Sequence, residues 1–152
     1  QKPAWLQAKF AAFMSADVLW AGFYIERSNK PLDSREDWDR MLKWLGDGGE
    51  SLLVDVVSRH SLLITDRAPE HQTDSSDYTK ADKTWHSLRT NREHPTLQDA
   101  LASIPTDDWV NWFVGKTIPR NEAVSMKAGI AAHLGGLLTD LLPIYSASIG
   151  AK

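Results

Sequence analysis

Large apolar residues recur along the first 27 residues at the spacing of an α-helix. Leu6, Phe10, Phe13, Trp20 and Tyr24 stand three, four and seven positions apart, which places them on one stripe of a helical surface. Pro3 suits a first helical turn, where its missing N–H would have no intrahelical partner. Ser28-Asn29-Lys30-Pro31 breaks the pattern after Arg27. A helix of this length needs other helices against its stripe, and the rest of the chain reads as supplying them.

Ser34 opens a second helix, with Asp37 three residues on as a weak capping box. Trp38, Met41, Leu42 and Leu45 form its core face, and Gly46, Gly48 and Gly49 stop it. The next segment has two readings. Leu52 to Val57 is strand-like in composition, yet Leu52, Leu53, Val56, Val57, His60, Leu63 and Ile64 share one helical face. Asp55 and Arg59 stand four apart on the other side, as a helical ion pair would. Helix is the reading adopted; a strand at Leu52–Val57 would make the class α+β.

Asp66 to Thr79 is polar, contains Pro69 and the run Asp74-Ser75-Ser76-Asp77, and is expected to be a mobile loop. A short helix over Ala81–Thr90 with Trp85 and Leu88 follows, then another from His94-Pro95-Thr96 with Leu97, Leu101 and Ile104 inward. Pro105-Thr106-Asp107-Asp108 reads as a helix start, with Thr106 as cap and two acids in the first turn. Trp109, Trp112 and Phe113 would lie along one side of that helix. A last long helix runs from Arg120 or Asn121 to Leu142, where Pro143 ends it. The sum is an all-α fold: one domain over residues 1–152, a bundle-like array of six to seven helices around a core of Trp, Phe and Leu.

Seven tryptophans fit that core as large apolar anchors. The absence of cysteine excludes disulfides, thiolate metal sites and cysteine nucleophiles. The formal net charge of −3 gives no general attraction to nucleic acid or anionic membrane. Apolar stretches at Ala11–Ile25 and Ala128–Ile149 are interrupted by Asp17 and by His133, Asp140 and Pro143, and read as core helices rather than membrane spans. The cytoplasm is the favoured compartment, with a mature exported protein as the alternative given the start at Gln1.

A few polar residues fall in places that call for a reason. Asp17 lies mid-arc on the first apolar stripe, where a carboxylate is expected to be buried and hydrogen-bonded. His60 shares a face with Val56, Val57, Leu63 and Ile64. On the last helix, Met126, Ile130, Leu134, Leu137, Leu138 and Leu141 form an apolar face. Glu122, Gly129, His133, Gly136 and Asp140 form an adjacent strip. Its two glycines would let another helix approach, with His133 at the seam. Lys80, Lys83, Arg89 and Arg92 cluster around Trp85 and His86 as a basic patch.

These features carry three functional readings. The leading one is a non-catalytic protein-interaction module, such as an adaptor, accessory subunit or inhibitor of another protein, without cofactor or metal. Val18 and Val110, outside the main stripes, are expected to belong to its contact patch. The rival is a small hydrolase or metal-dependent enzyme using Asp17, His60 and His133, were they to converge. The third is a nucleic-acid accessory factor using the basic patch.

Overall fold

A computed structural model describes residues 3–67 and 74–151. Among them are seven strands in two antiparallel sheets, so the all-α bundle is overturned in favour of a mixed α/β fold. The larger sheet contains β1 (Lys9–Met14), β2 (Val18–Arg27), β3 (Leu63–Thr65) and β7 (Val110–Pro119), in the order β1-β2-β7-β3. The smaller one is β4 (Tyr78–Ala81), β5 (Thr84–Ser87) and β6 (Arg92–His94) in sequence order. The helices are α1 (Glu36–Trp44), α2 (Glu50–His60), α3 (Leu97–Ala102), α4 (Arg120–Met126), α5 (Gly129–Asp140) and α6 (Leu142–Ile149).

The N-terminal segment is a hairpin of β1 and β2, and the register shows how helical spacing arose in it. Phe10 pairs with Phe23 on one face, while Phe13 pairs with Trp20 and Lys9 with Tyr24 on the other. The apparent stripe therefore draws Phe10 from one face and Phe13, Trp20 and Tyr24 from the opposite one. Because both faces carry large apolar groups, the two-residue alternation of a strand is hidden and a helical spacing arises by chance, and the strand-forming run Leu19 to Ile25 decides the structure. Ser15 closes the turn: its amide donates to the Val18 carbonyl at 2.9 Å, and its Oγ accepts from the amides of Val18 and Asp17 at 3.1 and 3.3 Å. Asp17 sits in this turn and is exposed, so its expected burial is corrected.

At the centre of the sheet, Gly22 pairs with Gly115. A Cβ at Gly22 would stand 2.2 Å from the Val114 carbonyl oxygen. The Phe113 ring lies over Gly115, its Cζ 2.3 Å from where a Cβ would be. These two glycines bring the strands and the ring to close approach.

The opposite face of the sheet makes the core. Phe23, Ile25, Ile64, Val110, Trp112 and Val114 cluster with Trp38 and Met41 of α1, Leu45 just after it, Leu53 and Val56 of α2, and Leu97, Ala100 and Leu101 of α3. Leu137, Leu141 and Ile144 extend this cluster toward the C-terminal helices. Trp38, Trp85 and Trp112 are buried anchors, whereas Trp5 lies at the surface and stacks on Trp109 at 5.3 Å.

Leu52 to Val57 lies within α2, as the helical reading has it, but that helix ends at His60, and Leu63 and Ile64, expected on the same helical face, lie in β3. The glycines after α1 also work as expected: the chain kinks at Asp47–Gly48, with Gly48 at φ +105°. Thr96 caps α3, its Oγ1 accepting from the Asp99 amide at 3.0 Å.

Other expected helices are corrected. Ala81–Thr90 is mostly the β4–β5 hairpin, which turns through Asp82 at φ +58°, and β5 passes to β6 through Asn91 at φ +51°. Asp and Asn tolerate this left-handed region better than most side chains. Thr106 caps no helix. It lies in an exposed turn leading into β7, where its carbonyl accepts from Arg35 Nη2 at 2.7 Å. The long C-terminal helix is three pieces, broken at Lys127 (φ +49°) and Leu141. Pro143 lies in the first turn of α6 rather than ending its predecessor, a place its missing N–H allows.

Candidate interaction surface

Many of the charged side chains singled out by the sequence are used inside the molecule. Asp66, just after β3, is buried and accepts the Tyr78 hydroxyl at 2.5 Å and Arg89 Nε at 2.6 Å. Arg89 Nη1 reaches on to Asp108 at 3.3 Å. Asp77, also buried, accepts the Asp66 amide at 3.1 Å and is gripped by the Arg67 guanidinium. Its own amide donates to the Ile64 carbonyl at 2.8 Å. This network joins the large sheet to the small one. Burial, with the neighbouring Asp66 carboxylate, pushes the Tyr78 hydroxyl well above its ordinary range, so it remains a donor. Burial works against the Arg89 charge, but Asp66 outweighs it and raises the pKa. Residues 68–73 of the expected mobile loop lie outside the described residues; Asp66 and Asp77 at its flanks are buried.

Of the four basic residues expected to cluster, Arg89 is turned inward and the other three stand on the small sheet. Arg89 is consumed by Asp66 and Asp108. Lys80 shares a face with Trp85 and stands 3.8 Å from Glu50. Lys83 is in the β4–β5 turn and Arg92 on β6, both exposed.

Asp17, His60 and His133 are on separate elements: the β1–β2 turn, the end of α2 and α5. No group of three histidine or carboxylate side chains able to hold a metal occurs among the described residues. His60 meets Asp140 instead, Nε2 to Oδ2 at 2.7 Å, and Arg59 Nη1 meets the same oxygen at 3.0 Å. The hydrogen bond from His60, and then the charge of Arg59, hold the Asp140 carboxyl below its usual range. A cleft of about 240 Å³ between α2 and the α5–α6 junction is lined by Arg59 and Asp140 along with Trp44, Leu53, Val56 and Ile144. His60 is not part of its lining, and the pair works as a clasp between two helices. The sequence placed His60 and Asp140 on separate elements without joining them.

The other end of the molecule has a different character. β7 ends at Pro119 opposite Val18, and α4 starts at once beside the β1–β2 turn. Arg120 holds the two together: its amide donates to the Asp17 carbonyl at 2.8 Å and its Nη1 to the Ala16 carbonyl at 3.3 Å. Between turn and helices lies a trough of about 430 Å³ lined by Met14, Ser15, Val18, Leu19, Arg120, Ala123, Val124 and Ile130. Met14 is 83% exposed and Val124 66%, unusual for large apolar side chains that share one depression.

α5 continues this surface. From Ala128 to Thr139 there is no Asp, Glu, Lys or Arg. Of α5's residues Leu137 alone is buried, while Ile130, Leu134 and Leu138 are partly exposed and Ala131, Ala132, Gly135 and Gly136 are open. Apart from chain neighbours and the helix's own backbone, no atom of the described residues lies within 4 Å of a Cβ built at Gly129, Gly135 or Gly136. The helix seam expected at Gly129 and Gly136 is thus not filled from within the described chain. Of the two residues expected in a contact patch, Val18 lines the trough and Val110 is fully buried in β7, so Val110 is corrected. Met14 and Val124 were missed. The available signal was the stretch from Ala128 to Thr139 without Asp, Glu, Lys or Arg, which the sequence reading assigned to a buried helix. No described helix is long and apolar enough to cross a membrane.

No protein-family model matches the chain, nor does any curated protein or solved structure.

Proposed function

We propose that this chain is a protein-interaction domain whose contact surface is its apolar end, formed by the β1–β2 turn, α4 and α5. The observation that carries the reading is the joint exposure of Met14 and Val124 in one trough beside a helix with no Asp, Glu, Lys or Arg before its last residue, Asp140. Isolated surface apolar residues need no explanation, but a contiguous patch favours association, since covering it removes apolar area from water. An adaptor, accessory subunit or inhibitor would use such a surface without needing a reaction centre.

The test places a photo-reactive benzophenone side chain at Val124 or, as a control, at Lys83 in the β4–β5 turn. Irradiation in an extract of the native source should give a discrete product from position 124. That product should be absent from position 83 and lost when Met14→Asp is added. The same product from both positions, or none from 124, would overturn the reading.

A further inference from the structure

We infer that the partner segment seated in the trough presents an apolar side chain flanked by a carboxylate, and that this carboxylate meets Arg120. The inference rests on the interaction reading above and gives the partner its chemistry. Arg120 is the charged group among the eight lining residues; the others are Met14, Ser15, Val18, Leu19, Ala123, Val124 and Ile130. A guanidinium offers five N–H donors in a planar fork. Arg120 Nη1 uses one on the Ala16 carbonyl, and the guanidinium has no carboxylate within 4 Å among the described residues. Asp17 shares an adjoining depression with Arg120, and Glu122 is two residues along α4, but neither forms an ion pair with it.

A wholly apolar occupant would strip water from this cation and offer nothing in return. A cationic one would add like-charge repulsion. An occupant carrying a carboxylate beside its apolar group satisfies both parts of the surface: the side chain fills the space between Met14, Val18, Val124 and Ile130, and the carboxylate takes the free edge of the fork. An amphipathic protein segment with Leu or Ile next to Asp or Glu has this chemistry.

Two fluorescein-labelled helical peptides test it against the 152-residue chain. Both present three leucines along one face; one flanks them with glutamates and the other with lysines. The glutamate peptide should bind about tenfold more tightly, a difference of roughly 1.4 kcal/mol. Arg120→Glu should reverse that order, Arg120→Gln should level it, and Arg120→Lys should restore part of it. Chemical-shift changes should fall on Met14, Val18 and Val124. Equal binding of the two peptides, or a preference that survives Arg120→Glu and Arg120→Gln, overturns the carboxylate inference and leaves the apolar surface standing. Failure of both peptides to bind, or binding with no footprint on those residues, overturns the surface reading and the inference with it.

Discussion

The junction between the two sheets and the apolar end of the molecule use their side chains in opposite ways. At the junction, Asp66, Asp77, Tyr78, Arg67 and Arg89 bond with one another, and the two aspartates and the tyrosine are buried. At the other end, Met14 and Val124 are exposed, and Arg120 has no carboxylate partner among the described residues. A buried polar group is costly unless its partners are present, so the junction is committed to holding the fold. The apolar end makes little demand on the fold, and its unfilled contacts are what an external partner can use. A mutation should therefore lower stability at the junction, and lower association at the apolar end.

The largest expected effect is at the junction. Asp66→Asn leaves Arg89 short of its main counter-charge and should cost about 3 kcal/mol, at the low end for a broken buried pair because Arg89 keeps some contact with water. Urea denaturation measures this directly. A loss below about 0.5 kcal/mol, typical of a surface change, would erase the contrast with the apolar end.

A smaller effect separates two threonines that look alike in sequence. Thr96→Ala should cost about 1 kcal/mol, since Thr96 caps α3. Thr106→Ala, in an exposed turn, should stay within about 0.5 kcal/mol. Equal losses would contradict the placement of Thr106 outside any helix.

The smallest stability effect concerns the clasp from α2 to α5. The folded-state pKa of Asp140 is lowered by His60 and Arg59, so its contribution is present above the ordinary carboxylate pKa of 3.8. It is lost as pH falls through the depressed value. Wild type should be more stable than Asp140→Asn at pH 6, and the gap should close below about pH 4. A gap that widened on acidification would mean Asp140 is held in its protonated form instead.

Legibility in the sequence followed how many faces each segment buries. α1, α2 and α3 each bury one side and expose the other, so a 3.6-residue period located them, and His94-Pro95-Thr96 marked the start of α3. β2 carries large apolar residues on both faces, Phe23 and Ile25 on one and Trp20 and Tyr24 on the other, so periodicity carried no information about it. The small sheet turns at Asp82 and Asn91 without glycine, which hid its hairpins. At the candidate site, Val18 was legible as an apolar residue outside the stripes. The trough was not, because it forms where the β1–β2 turn meets α4, about a hundred residues away in sequence. The uncharged stretch of α5 reads the same whether a helix is covered by its own chain or by another.

Stability and association of Val124→Asp, measured side by side on the same preparation, test the central claim most directly. Urea denaturation should place the variant within about 0.5 kcal/mol of wild type, because a side chain 66% exposed contributes little to the fold. Its capture of the partner that crosslinks at the trough should fall at least tenfold, since an aspartate there would have to be desolvated against apolar groups. A variant that loses stability while retaining the partner would show that Val124 serves the fold, and would contradict the assignment of this end of the molecule to association.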